Sequence, residues 1–304
     1  MTNLFLPVID VSALADALAN ASVPANSAPD RAKSSNKEPV STLVVLDVRS
    51  ADDFATGHID GAHRLDPGLL NHSIPPISGL LPAAAEVSDW TSQLGLQPDS
   101  TIVVYDAGKS TAAARALWVL NVYGFAKVQW LNGGIAAWVA GGHAMTTDST
   151  PMPATTPKLS LRANTDLVLT NEQLKARFAD AADANGPAGT TQLPDHQIID
   201  ARSSGEYDGS DVRSARGGRM PGAVHYEWLD MLQSDGTLHP EPTLLAALKQ
   251  RDLRKDVPAV VYCQSHQRSS LTYVVLKHLG FEQVAALDGA WSNWGNDPTT
   301  PIDT

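Results

Sequence analysis

The chain can be laid on itself: four blocks recur in the same order in its two halves, so any fold it adopts must be built twice. The first block pairs VIDVSALADAL at 8–18 with VLTNEQLKARF at 168–178, each a short apolar stretch running into an amphipathic helix. Thr170 and Gln173 stand at capping-box spacing where the second of these helices should start. The second block pairs TLVVLDVRSADDFATGHIDGAH, from Thr42, with HQIIDARSSGEYDGSDVRSARGGRMPGAVH, from His196. Each opens on a buried-type strand that ends in Asp-x-Arg, Asp47/Arg49 in one half and Asp200/Arg202 in the other. The third block pairs TIVVYDAGKSTAAARALWVLNVYGF with PAVVYCQSHQRSSLTYVVLKHLGF, a β-branched run, a polar loop and a helix closed by Gly124 or Gly280. The fourth pairs VQWLNGGIAAW with VAALDGAWSNW, whose Trp138, Trp291 and Trp294 most simply fill the core between a last helix and the sheet.

Strands that alternate with helices predict an α/β fold, a mainly parallel sheet with helices on both faces, once per half. A length of 304 residues suits two such domains. Residues 144–165 hold three prolines and little periodicity and read as a linker, which leaves domains at 1–143 and 166–304. Polar, small-residue stretches at 21–39 and 179–196 interrupt both halves at the same place and read as surface insertions or partial disorder.

The net charge of −11 opposes a polyanionic partner, so neither nucleic acid nor an anionic membrane is expected, and small molecules or proteins are. The first twenty residues lack a basic n-region and carry Asp10 and Asp16, and no apolar run reaches about 18 residues. A soluble, cytoplasmic protein is the expectation. One cysteine excludes an internal disulfide and a CxxC zinc site. His58 and His63 fall in no repeated ligand pattern and read as surface or structural residues, so no metal is expected. Without a GxGxxG or Walker loop, no nucleotide cofactor is implied either.

That single thiol is either inert packing or the working group. The third block sets Cys263 opposite Asp106, each after the same Val-Tyr strand ending, and Ala107, Gly108 and Lys109 follow in the first half, so the position reads as polar and loop-facing. Cys263 then sits where a strand ends and a helix begins, the edge at which α/β sheets bind ligands. There the backbone N–H groups and the positive helix end converge, which favours a thiolate and an anion beside it. Arg268 adds a permanent charge, and His266 adds another if it is protonated.

These residues resemble the rhodanese family, sulfurtransferases built from two similar α/β domains, over nearly the whole chain. The Asp-x-Arg strand ends, the GHIDGA and GRMPGA segments that look like the family's GHIPGA element, and the GG/GAxxxW endings carry the resemblance. It implies two tandem rhodanese-like domains, of which only the second is catalytic, with Asp106 where the first has lost its cysteine. Cys263 to Arg268, CQSHQR, looks like the family's six-residue active-site loop. It departs from the CGSGVT-like loops of 3-mercaptopyruvate enzymes and the CRKGVT-like loops of animal thiosulfate enzymes, and resembles bacterial CQTHHR-like loops. Where those enzymes place a donor-binding arginine in GRY, this chain has Glu206 in GEY.

The resemblance therefore implies thiosulfate as an anionic donor, a persulfide on Cys263, and Gln264, Ser265, His266, Gln267, Arg268 and Ser269 around it. No cofactor is expected; two domains packed on each other can form a complete cleft without a partner chain, so a monomer is expected; and with no second cysteine to discharge the sulfur, the acceptor is external, such as cyanide, a thiol or a protein. A carboxylate at 206 cannot hold an anion, so the positive charge must come from Arg268 or from Arg213, Arg216 and Arg219, whose bland reading is a solvated loop. Arg219, Arg202 and Trp228 are candidate donor-binding residues, although Arg202 also reads as paired with a nearby carboxylate. The competing readings are a 3-mercaptopyruvate sulfurtransferase, a non-catalytic rhodanese-like binding module, and a phosphatase. Phosphatase loops of this architecture need Cys-x5-Arg, whereas Arg268 falls at Cys-x4-Arg.

Overall fold

The computed structural model describes residues 6–21, 43–185, 193 and 195–304. Most of the two polar stretches, 22–42, 186–192 and 194, lies outside the described residues. The first half runs β1 (Val8–Ile9), α1 (Val11–Ala21), β2 (Leu43–Asp47), α2 (Ala51–Thr56), β3 (His63–Arg64), β4 (His72–Ile74), β5 (Ile77–Leu80), α3 (Ala84–Gln93), β6 (Thr101–Tyr105), α4 (Ala112–Val122), β7 (Val128–Leu131) and α5 (Gly134–Ala140). The second half runs β8 (Val168–Leu169), α6 (Asn171–Asn185), β9 (Gln197–Asp200), α7 (Ser204–Asp208), β10 (Val224–His225), α8 (Glu241–Gln250), β11 (Ala259–Tyr262), α9 (Arg268–His278), β12 (Val284–Leu287) and α10 (Ala290–Trp294). Thr170 and Gln173 form the expected capping box, exchanging bonds of 2.8 and 3.2 Å, but α6 runs on through Asn185 into the second polar stretch.

Each half holds one five-stranded parallel sheet, in the orders β1-β7-β6-β2-β3 and β8-β12-β11-β9-β10. The orders are the same, so the sequence repeat is a repeat of topology. The repeat extends to chemistry. In each half the Asp-x-Arg strand end closes on itself, Arg49 Nη2 donating to Asp47 at 2.5 Å and Arg202 Nη2 to Asp200 at 2.6 Å. Both guanidiniums also donate to a glycine carbonyl, Gly57 or Gly218, at 2.7 Å. Such charge-assisted, nearly solvent-free pairs fix the strand ends from which the following loops spring.

Alternation along the strands separates two faces, as a parallel sheet covered on both sides requires. In the first half Val45, Val103, Tyr105 and Leu131 pack with Leu14 of α1 and Ile135 and Trp138 of α5. In the second, Ile198, Val260, Tyr262 and Leu287 pack with Leu174 and Phe178 of α6 and Trp291 and Trp294 of α10. The other two faces share one core: Leu46, Ile102, Val104 and Trp130 join α3 and α4, and Ile199, Val261, Val284 and Ala286 join α8 and α9, in a single apolar cluster. There α4 lies against α9, and Tyr273 donates to Asn121 across the junction at 3.2 Å. The stretch 144–165 carries no helix and runs along α3, where Ser88 donates to the Leu159 carbonyl at 2.8 Å.

A core continuous across both halves predicts joint unfolding. Calorimetry of the whole chain should show one transition whose van't Hoff and calorimetric enthalpies agree. Leu276→Ala, which removes a fully buried side chain from the shared core, should lower stability by about 2–5 kcal/mol without splitting that transition; two separate transitions would refute a common core.

Candidate active site

The strand β11 ends at Tyr262, Cys263 follows, and α9 begins at Arg268. The loop is stitched to the start of α10: Trp291 N–H donates to the Cys263 carbonyl at 2.9 Å and Ser292 N–H to that of Gln264 at 2.8 Å. Among the described residues none of the N–H groups of Gln264 to Arg268 has an acceptor. Unsatisfied donors at the head of a helix are chemically suited to hold an anion. The sequence suggested a loop-facing thiol; instead Cys263 is fully buried beneath its loop.

Several residues of the loop are held from outside it. Gln264 donates to Ser214 Oγ at 3.1 Å. The Ser265 carbonyl lies against Gly79, which has φ +72°, and a Cβ there would come within 1.9 Å of that oxygen, so only glycine fits. Gln267 donates to Asn71. Ser269 is buried against His266 Nδ1 at 2.7 Å. Arg268 makes a two-pronged ion pair with Glu206, 2.5 Å from Nη1 and 2.8 Å from Nη2, and lies near enough to Cys263 for the two charges to interact. Burial alone would raise the Glu206 carboxyl, but Arg268 and the Ser203 amide outweigh it and bring it down to about 2. The Arg268 guanidinium, which burial would lower, is raised by the same contact and by Cys263.

Several expectations change. His266 adds no charge: it is wholly buried, with φ +50°, and burial and then the nearby Arg115 cation push its imidazole well below 6.5. Arg202 is not offered to a donor; it is enclosed with Asp200, its guanidinium centred 4.3 Å over the Trp291 ring. Arg216 is absorbed by the carbonyls of Trp294, Asp297 and Thr300. Arg219 pairs its backbone with Asp303 and covers the Tyr207 ring at 4.7 Å. Arg213 is exposed, bonded to Asp211 at 2.8 Å and 3.8 Å from Glu206. Trp228 is half-buried in a 3-10 turn, Trp228–Met231, against the shared core. His58 is structural, its ring nitrogens meeting the Phe54 and Asp148 carbonyls at 3.0 and 3.1 Å.

The sequence reading missed the use of Glu206. Its carboxylate holds the loop's own arginine, and Ser203-x-x-Glu206, a capping box in the structure, was the available signal for its fixed position. In the first half the equivalent loop is filled from within, the buried Asp106 carboxylate accepting from Gly108 and Ala113 N–H, both at 3.0 Å. A cavity of about 590 Å³ lies at the opposite strand ends, lined by His196, Pro258 and Gln283, away from this loop.

The histidines and Glu206 share one sign, and Asp106 and Asp288, whose carboxyls burial raises, oppose it. Burial lowers His63, His266 and His278 in the folded chain, so their unfolded forms take up protons first, below an ordinary value of 6.5. Glu206 contributes stability above 4.5 that is lost as pH falls towards about 2. The denaturant midpoint should therefore fall more steeply from about pH 7.5 to 5.5 in the unaltered chain than in His278→Gln, which lacks one of the lowered imidazoles; equal slopes would contradict a lowered His278.

Comparison with known proteins gives the family. The model of the rhodanese-like domain matches twice, at residues 28–141 and 180–297. A thiosulfate sulfurtransferase of Pseudomonas aeruginosa is 35% identical over 261 residues, covering 86% of this chain and 91% of that protein. One of Azotobacter vinelandii is 34% identical with the same coverage. A 3-mercaptopyruvate sulfurtransferase of Escherichia coli is 28% identical, over 83% of this chain and 85% of that one. Among solved structures, the anaerobic ergothioneine biosynthesis enzyme from Chlorobium limicola superposes with a TM-score of 0.80 at 19% identity, over 99% of this chain and 71% of that one, a likeness of fold. With the same domain matched in both halves and the sheet built twice, this chain belongs to the rhodanese family.

Proposed function

We propose that the chain is a thiosulfate sulfurtransferase whose nucleophile is Cys263, working as a cytoplasmic monomer. The Cys263 thiolate attacks the outer sulfur of thiosulfate; the S–S bond of the donor breaks, its electron pair leaves with sulfite, and a cysteine persulfide anion remains. An acceptor such as cyanide then attacks the terminal sulfur and leaves as thiocyanate, restoring the thiolate. The observation that carries this reading is the juxtaposition of one buried thiol, a run of N–H groups without acceptors, and the Arg268 guanidinium close by, aligned by Glu206. Those donors suit a persulfide anion and the sulfite that departs. Because Glu206 aligns Arg268 and offsets part of its charge, the arginine serves as a fixed donor beside the sulfur.

Thiosulfate is preferred over 3-mercaptopyruvate because relatives named for it are more similar, and because α7 has Glu206 where the 3-mercaptopyruvate enzymes place a donor-binding arginine. The Cys-x4-Arg spacing disfavours a phosphatase, and the intact Cys263 and Arg268 disfavour a purely binding module. Contacts of the first half on the loop, Gly79 and Asn71 among them, support a site complete within one chain.

Intact mass after incubation with thiosulfate should show one added sulfur, absent in Cys263→Ser and weak with 3-mercaptopyruvate. Gain only with 3-mercaptopyruvate would overturn the donor, and gain with neither would overturn sulfur transfer. Glu206→Gln, which leaves Arg268 without its carboxylate, should slow loading on the order of 10- to 100-fold through loss of alignment; loading at the rate of the unaltered chain would dismiss the alignment role.

A further inference from the structure

The half that lacks the thiol places a cation against the loop that follows it. Arg115, the fourth residue of α4, is completely buried, whereas the fourth residue of α9 is Leu271. Its guanidinium donates to four carbonyls: Leu70 at 3.0 Å, Gly79 at 3.1 Å, Leu80 at 2.9 Å and, across the domain junction, His266 at 3.4 Å. It stacks 4.5 Å from the centre of Trp118, whose ring meets that of His266 edge-on at 4.4 Å. Among the described residues no carboxylate forms an ion pair with it. A buried cation held only by carbonyl dipoles is costly and keeps most of its field.

Its place defines what that field does. The His266 carbonyl is gripped from two sides, by Arg115 and by Ser270 Oγ at 2.6 Å. A trans peptide directs its C=O and N–H oppositely, so this grip turns the Gln267 N–H away from Arg115, and that N–H is one of those without an acceptor. The same grip sustains a left-handed, non-glycine backbone at His266. The charged and titratable groups around the thiol are Arg268 and His266 of its own loop, Glu206 of α7, Asp288 after β12, and Arg115. Glu206 is engaged by Arg268, and His266 is neutral. Asp288 and Cys263 are the negative groups whose charges act on Arg115, opposing a burial that brings it down to about 10.

We propose that Arg115 is a positioning residue for Cys263: from the first domain it fixes the His266 peptide and gives the active-site loop a positive charge that no carboxylate pairs. This rests on the reading of Cys263 as the working thiol. It assigns the first domain an electrostatic part in the chemistry, beyond covering the site.

The test is the pH dependence of Cys263 alkylation by iodoacetamide in the native, full-length chain, where the one cysteine makes the readout unambiguous. Arg115→Gln keeps donors and removes charge, and should move the alkylation midpoint up by about one pH unit, slowing alkylation near neutral pH about tenfold. Arg115→Lys should keep the midpoint near that of the unaltered chain. Asp288→Asn, which removes an opposing charge and keeps an acceptor for Leu81 N–H, should move it down. A merely structural arginine would lower melting temperatures and leave every midpoint in place, which would overturn the proposal. If Arg115→Gln does not fold, Asp288→Asn decides, and a midpoint at or above that of the unaltered chain overturns it. Alkylation needs no sulfur donor, so failure to load sulfur from thiosulfate would strike the donor assignment and leave this result standing.

Discussion

The packing of α4 against α9 is the constraint on which the rest of the molecule depends. Both helices follow the central strand of their sheets, β6 or β11, so joining them back to back brings the loops that precede them to one junction. Each loop is then closed by the other half. Asn71 to Leu81 of the first half lies on the loop after Cys263, through Gly79, Gln267 and the Ser78–Ser292 contact at 2.9 Å. Gly236 to Leu238 of the second half lies on the loop after Asp106, with Leu238 N–H on Asn132 at 2.8 Å and Gly236 against Lys109. The apolar core is continuous through this junction, so the closing segments are held by the same burial that stabilises the sheets.

Two chemically different uses of one loop geometry result. In the first half the carboxylate of Asp106 satisfies N–H groups of its own loop, and that site needs nothing from outside. In the second half the N–H groups of Gln264 to Arg268 are left open over a thiol, and charges stand around it in layers: Arg268 beside it, Glu206 behind Arg268, and Arg115 behind the His266 peptide. Burial gives each of these charges more weight than it would have in water.

Much of the fold was legible because periodicity and repetition are local properties of the chain. The strand runs, the capping box at Thr170, the glycine stops and the correspondence of Asp106 with Cys263 all follow from reading along the sequence. What escaped were relations between distant residues. Glu206 was read as a missing cation, when its significance lies in a guanidinium 62 residues away. His266 looked like a titratable charge because nothing local says that Trp118 of the other half will cover it. Arg202 lay between two readings because Asp-x-Arg suits solvent or a closed pair equally well, and only the burial of both partners decides.

The carboxylate folded into the first loop also bears on stoichiometry. An empty duplicate site would be a second place for an anion to lodge, competing for donor without yielding product. Asp106 is a tethered occupant that never leaves, and the chain has a single cysteine. On the proposed reading each molecule therefore has a carrying capacity of one sulfur atom, and turnover counted per chain equals turnover counted per site.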